Sequence, residues 1–232
     1  MKLVKIGDYY GKKYDYIKNL PKYIRFRLMT GVKLKDWRKC MEAIEDPRMY
    51  LKEGFIPSKN DVILDIGAQY GDYAMIWEKK YRCKVHSFEI APENYLLLIL
   101  NIANNRSGVK AYNLALGNGE RINFDYKERM SHKTEEGQPI QTVRLDDWVH
   151  ENKIRPDILK IDVEGAEYEV LQGAQETISS FHPKIILETH SRELREKCEQ
   201  FMKSCGYKLK IEGRTEINYS VNFNDVTNLY FR

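Results

Sequence analysis

The 232-residue sequence has no long apolar run. Its longest purely aliphatic stretch is Leu96–Leu100, far short of the roughly 18 residues needed to cross a bilayer. The start, MKLVKIGDYYGKK, has no apolar core of about 7–15 residues, so no secretory leader is expected and the expected location is cytoplasmic. Cysteine is scarce: Cys40, Cys83, Cys198 and Cys205 form no C-x-x-C pair, and no histidine stands at zinc-finger spacing from them. That argues against a structural zinc or a disulfide framework and for free thiols. With only 14 glycines and 7 prolines, collagen-like and low-complexity classes are out. Hydrophobic residues make up 42%, charged residues 31%, and mean hydropathy is −0.60. Such a chain is too apolar for disorder and too polar for a membrane protein. Its length suits one α/β domain, or a core domain with a small appendage.

Charge is unevenly spread. Residues 1–60 carry 15 Lys/Arg against 7 Asp/Glu, while the rest carries 23 against 27. A basic front end can attract phosphates, acidic glycans or anionic lipid; the plainer alternative is a solvated helical face. Residues 1–57 read as a helical, tyrosine-rich extension, with Tyr9, Tyr10, Tyr14, Tyr16 and Tyr23 packing on the body or lining a substrate mouth. GFIPSKN (54–60) marks the boundary, and 58–232 is the expected main domain.

From Asp61 the sequence alternates strand and helix. Short apolar strands are expected at Val62–Asp65, Lys84–Glu89, Lys110–Leu116, Ile158–Ile161 and Lys184–Glu188. Helices are expected at Asp72–Lys80, Pro92–Asn105, Leu145–Glu151, Gly165–Ser180 and Arg192–Cys205. Arg121–Tyr126 and Pro139–Val143 read as an inserted β-hairpin around a polar loop, Lys127–Gln138, where Ser131 and His132 face the ligands or solvent. Lys208–Ile211 and Thr227–Phe231 close the chain as antiparallel strands. The pattern implies a Rossmann-like, doubly wound, mostly parallel sheet. Ligands in such sheets bind beyond the carboxyl ends of the strands, which directs attention to the segments after each strand.

The strongest local signal follows the first strand: Asp65-Ile66-Gly67-Ala68-Gln69-Tyr70-Gly71-Asp72. A P-loop would need a Lys-Ser/Thr pair after the second glycine, and a dinucleotide fingerprint would need glycine at position 69; neither is present. The remaining reading is a G-x-x-x-G turn for S-adenosylmethionine, which has no pyrophosphate to bind. Glu89, at the end of the second strand, is placed to accept hydrogen bonds from both ribose hydroxyls, the logic used by dinucleotide folds.

These segments, with SFEIAPENYLLLILNI, YNLALGNG, TVRLDDW, DILKIDVEGAEYEVLQGA and KIILETH, resemble in order the FkbM-type methyltransferases over about residues 61–190. The most specific part is Lys160-Ile161-Asp162-Val163-Glu164-Gly165-Ala166-Glu167. Gln69 stands where the family usually has Asn, and Ile90 where it usually has Pro. The resemblance implies a class I fold with a seven-stranded sheet and S-adenosyl-L-methionine as cofactor. It also implies O-methylation of a small molecule or carbohydrate. Asp65, Gly67, Ala68, Gln69 and Gly71 would hold the methionine part, Glu89 and Ile90 the ribose side, Asn113 and Ala115 the adenine. Asp162 would sit near the reacting methyl.

A hydroxyl acceptor must lose a proton, to a base or through a metal. Asp162, Glu188 and His190 are the catalytic candidates, with His190 the expected general base because imidazole titrates near neutrality. Asp162 could instead N-cap the following helix, and Glu164 could answer its dipole. Carboxylates here suit Mg²⁺, but no dedicated ligand motif is present and no metal is expected. Lys160, inside an apolar strand, must find a carboxylate on a neighbouring strand or reach the rim. Two rival functions remain: RNA methylation through the basic front end, and a cofactor-binding module without turnover.

Overall fold

The computed structural model describes residues 50–127, 130–134, 137–214 and 226–232. The extension at 1–49, with its five tyrosines, therefore lies outside the described residues. The described residues fall in one of two compact units, which runs from Pro47 to Arg232. Residues 50–57, which the sequence grouped with the extension, belong to it: Tyr50 and Phe55 are buried beside Ile63, Trp77 and Tyr230.

Five parallel strands form the centre: β1 (Val62–Ile66), β2 (Lys84–Phe88), β3 (Lys110–Tyr112), β9 (Ile158–Ile161) and β10 (Lys184–Thr189). The full sheet has the order β11-β12-β10-β9-β1-β2-β3, with β12 (Thr227–Phe231) antiparallel to both β10 and β11 (Leu209–Arg214). This is the expected mostly parallel seven-stranded sheet. The crossovers are α1 (Asp72–Tyr81), α2 (Pro92–Asn105), α3 (Leu145–Asn152), α4 (Glu167–Gly173), α5 (Gln175–Phe181) and α6 (Arg192–Ser204). Pro92 occupies the first turn of α2, where its missing N–H costs nothing.

Three local expectations need correction. The stretch 165–180 is two helices, because the chain leaves helical geometry at Ala174 (φ −111°). The third strand stops at Tyr112, and Leu116–Gly117 forms a separate short strand, β4, pairing with β8 (Val143–Arg144). The polar stretch read as a loop contains β6 (Met130–Lys133), so β5 (Arg121–Lys127) is flanked by β6 and β7 (Gln138–Gln141) in a three-stranded antiparallel sheet. The side chains of Ser131 and His132 lie outside the described part of that strand.

Side-chain alternation along the central strands sorts the core into two layers. Leu64, Ile66, Leu159, Ile161, Ile185 and Leu187 face one layer with Trp148, Val170, Leu171 and Ile178. Ile63, Ile158 and Ile186 face the other, with Tyr50, Phe55, Trp77 and Tyr230. Continuing two residues along each of these strands on the second face gives Asp65, Lys160 and Glu188. All three are buried. The apolar pattern thus ends in charges at the carboxyl edge of the sheet, under the layer that carries Tyr50.

Candidate active site

The turn after β1 is forced tight by its packing. Gly67 has φ +83°, and a Cβ there would lie 1.6 Å from the backbone oxygen of Asp162, so only glycine lets β1 leave the sheet this close to β9. The Gly67 and Ala68 N–H groups both donate to the Phe88 carbonyl, at 2.9 and 3.0 Å, and Gly71 N–H donates to the Ala68 carbonyl at 2.8 Å. Gly71 (φ +80°) opens α1 against Leu98. Between them Gln69 takes φ +45°, a left-handed conformation that Asn tolerates better than Gln.

Glu89 closes this turn against β2. One carboxylate oxygen accepts the Gln69 N–H at 2.8 Å and the other accepts the Ala91 N–H at 2.8 Å. Asn113 braces the same corner, its side-chain amide donating to the carbonyls of Glu89 (2.7 Å) and Ile90 (3.0 Å). Burial outweighs these hydrogen bonds and pushes the Glu89 carboxyl up to about 7.

The corner opens into a cleft at the carboxyl ends of β1, β2 and β9. Among the residues the sequence singled out, Gly67, Gln69, Glu89, Ile90, Ala115 and Asp162 line it. Asp65, Ala68, Gly71 and Asn113 do not. Leu114 and Leu116, from the segment assigned to the adenine side, line it as well, while sequence reading did not single out Ile66, Phe88, Asn94, Phe124, Val163 or Ala166. Asn94 sits at the start of α2, and Phe124 comes from the inserted sheet. Among the described residues the lining carries three carboxyl groups, Glu89, Asp162 and Glu164, and neither lysine nor arginine.

Beside the cleft lies a buried cluster of charge. Lys160 Nζ donates to the Gly67 carbonyl at 2.6 Å and lies 3.3 Å from Asp65 Oδ1 and 3.4 Å from Asp162 Oδ2. The lysine has therefore found a carboxylate on the adjacent strand, where Asp65 is its register partner, and it also pins the glycine turn. Burial opposes its charge, but Asp65, Asp162 and Glu188 more than offset this and raise its pKa. Burial raises the Asp65 carboxyl, with Lys160 pulling the other way.

Asp162 does not cap a helix. Helix α4 starts at Glu167, whose own carboxylate accepts the N–H groups of Val163 and Gly165 at 3.1 Å. Asp162 instead points to Lys160, Tyr50 and His190. His190 Nδ1 is 3.0 Å from Glu167 Oε1, and its Nε2 is 3.3 Å from Glu164, 3.6 Å from Asp162 and 3.8 Å from Glu188. Burial disfavours the charged ring, but Glu167, Asp162 and Glu164 push it up to about 10. The surrounding carboxyl groups favour the charged ring, which weighs against His190 as the general base that the sequence suggested. Asp162, Glu188 and His190 bring three potential metal-ligand atoms within 4.8 Å of one another.

The chain matches the methyltransferase FkbM domain over residues 65–209. It belongs to the FkbM methyltransferase family. The hexuronic acid methyltransferase AglP of Haloferax volcanii is 29% identical over 167 residues, covering 68% of this chain and 66% of AglP. Methyltransferase sdnD of Sordaria araneosa is 29% identical over 195 residues, covering 66% and 75%. The crystal structure of methyltransferase FkbM from Methylobacillus flagellatus superposes with a TM-score of 0.62 at 21% identity, covering 80% of this chain and 47% of that one. Aeropyrum pernix fibrillarin, solved with natively bound S-adenosyl-L-methionine, gives 0.51 at 14% identity, covering 84% and 74%. At these identities the two superpositions speak to fold alone. The chain spans about two thirds of AglP and about half of the M. flagellatus chain. Tyr50 lies before the family match. No helix among the described residues is long and apolar enough to cross a membrane.

Proposed function

We propose that the protein is an S-adenosyl-L-methionine-dependent methyltransferase acting on a hydroxyl of a small molecule or carbohydrate. The observation that carries this reading is the lining of the cleft among the described residues: a glycine-built floor, a carboxylate at the tip of β2, and no lysine or arginine. Among the described lining residues, a phosphorylated nucleotide would meet three carboxyl groups and no lysine or arginine to hold its phosphates. A phosphate-free nucleoside with a cationic sulfonium suits the same surface. Family membership supports the reaction class, and the relationship to AglP supports a carbohydrate acceptor.

In this reading the cofactor, when bound, supplies an activated methyl group on sulfur. Glu89 accepts the ribose hydroxyls on the lone pairs that Gln69 and Ala91 leave unused. Leu114, Ala115, Leu116 and Phe124 give the apolar flank for adenine, and the Gly67 turn lets backbone approach the amino-acid end. Asp162, on the cleft wall, takes the acceptor's hydroxyl proton. His190 and Lys160 hold Asp162 by charge rather than exchanging protons themselves. Positioning of the nucleophile is the main contribution such a site makes.

Isothermal calorimetry tests this directly. S-adenosylhomocysteine is expected to bind and ATP and NAD are not. Transfer of labelled methyl from S-adenosyl-L-methionine to a panel of hydroxylated glycosides then tests the chemistry. Binding of ATP or NAD in preference to the adenosyl thioether would overturn the proposal.

A further inference from the structure

A second concavity shares a wall with the cleft. It is an open groove between α4 and α6, and Gly165, Tyr168, Glu169, His190, Glu193 and Lys197 are among the residues that line it. The two hollows meet at one peptide bond: Glu164 lines the cleft and Gly165 the groove. The bend there takes two left-handed conformations in succession, φ +54° at Glu164 and φ +105° at Gly165. The first is disfavoured for glutamate, and strain of this kind persists where the surrounding structure enforces it. His190 spans the same divide. Its ring lines the groove, while its Nε2 lies 3.3 Å from Glu164 and 3.6 Å from Asp162, both of which line the cleft.

We propose that this groove is the acceptor subsite and takes the uncharged pyranose ring of a carbohydrate, stacked on Tyr168, with ring hydroxyls donating to Glu169 and Glu193. The reacting hydroxyl reaches over the Glu164–Gly165 bend toward Asp162. Its role as an acceptor site rests on the methyl-transfer reading; its affinity for a sugar does not.

The chemistry of the lining matches the two kinds of surface a sugar ring has. The C–H faces of a pyranose are apolar and weakly positive, and they pack on the negative face of an aromatic ring. Tyr168 is half-buried and stands nearly perpendicular to Phe201, with ring centres 6.1 Å apart, so its ring is held in place. The hydroxyl edges of the sugar are donors, and a carboxylate accepts several of them in charge-assisted bonds. Glu169 follows Tyr168 on α4 and Glu193 comes from α6, which sets acceptors on both sides of the platform. Lys197 stands one turn beyond Glu193, on the same face of α6. Among the described lining residues two carboxyl groups thus face one lysine, a balance that disfavours a phosphate chain and with it a nucleic acid.

Saturation-transfer NMR with the methyl pyranosides of glucose, galactose and mannose tests the groove with no cofactor present. At least one of them is expected to bind. Tyr168→Leu, which keeps an apolar side chain against Phe201, is expected to weaken that binding about fivefold, and Tyr168→Phe to preserve it. Glu193→Gln, at an exposed position, is expected to weaken it about tenfold. In methyl transfer these losses fall on KM for the sugar rather than on kcat. Calorimetry should show an unchanged affinity for S-adenosylhomocysteine in all three variants. The proposal is overturned if no pyranoside binds, or if Tyr168→Leu and Glu193→Gln both bind as wild type does. If Tyr168→Leu does not fold, Glu193→Gln decides. A wild-type protein that binds a pyranoside in this groove but not S-adenosylhomocysteine would sink the methyl-transfer reading and leave the sugar site standing.

Discussion

Because burial holds the Glu89 carboxyl at about 7, binding of the adenosyl ligand should depend steeply on pH. The ionised carboxylate can accept the backbone hydrogens of Gln69 and Ala91 and still offer one lone pair per oxygen to the ribose hydroxyls. Protonation turns one of those oxygens into a donor and costs a charge-assisted hydrogen bond. Ligand binding therefore favours the ionised form and releases a proton when it starts from the neutral one. The sign follows: affinity is level above about pH 8, falls as pH drops through about 7, and loses roughly tenfold per further unit. It flattens again once the neutral form binds in its own right. A charge-assisted hydrogen bond is worth about 1.5–3 kcal/mol, so that plateau lies roughly 10- to 150-fold below the maximum. Calorimetry with S-adenosylhomocysteine from pH 5.5 to 8.5, with adenosine as a ligand lacking the amino-acid part, measures the curve. Glu89→Gln should bind about 100-fold more weakly at pH 8 and show a flat profile. A wild-type affinity independent of pH, or a Glu89→Gln variant that keeps the wild-type curve, would refute the assignment of Glu89 to the ribose.

Three further outcomes are expected. Gly67→Ala should cost more than ~4 kcal/mol in urea unfolding, since its Cβ would meet the backbone oxygen of Asp162 at φ +83°. Gly71→Ala should cost less, ~2–3 kcal/mol, because it meets only the movable end of Leu98; equal losses would contradict the packing argument. Lys160→Met should destabilise by about 3–5 kcal/mol, because Asp65 is left buried without its cation, and a neutral result in the same assay would show Asp65 to be protonated already. Finally, the ligand-free protein should lose thermal stability as pH rises from about 5 to 10. Glu89 and Glu188 hold protons when folded that the unfolded chain releases above its ordinary carboxyl range. The contribution of His190 is complete below its unfolded value of 6.5 and is lost as pH approaches about 10. All three trends have the same sign, and a melting temperature that climbs toward pH 9 would show the cluster to be charged differently.

The order of strands and helices was legible because periodicity and glycine turns are local. The alternation of Ile63 with Leu64 and of Ile158 with Leu159 marks doubly covered strands, and Gly67 with Gly71 marks the turn that a ligand can approach. Glu89 could be placed from its position alone, since a residue at the end of an apolar strand in such a sheet stands at the ligand edge. Even the partner of Lys160 was foreseeable in kind, because a lysine inside an apolar strand has few ways to be satisfied. The strand β6 was not legible: Met130–Lys133 pairs only with β5, at the edge of a small sheet, and its polar sequence carries no signal of a buried face.

What the sequence alone determined, then, is the parallel sheet, its glycine turn and the acid at the second strand tip, each written in a few neighbouring residues. Tertiary structure decided the chemistry of the acids. Whether His190 is a base or a cation depends on Glu167, Asp162 and Glu164 converging on one ring from a loop and a helix start. Tyr50 stands 112 residues from Asp162 and 138 from Glu188 in the chain, and nothing in its local sequence sets it apart from other tyrosines. Proton affinity is a property of the field at a point, and that field exists only when distant segments are brought together.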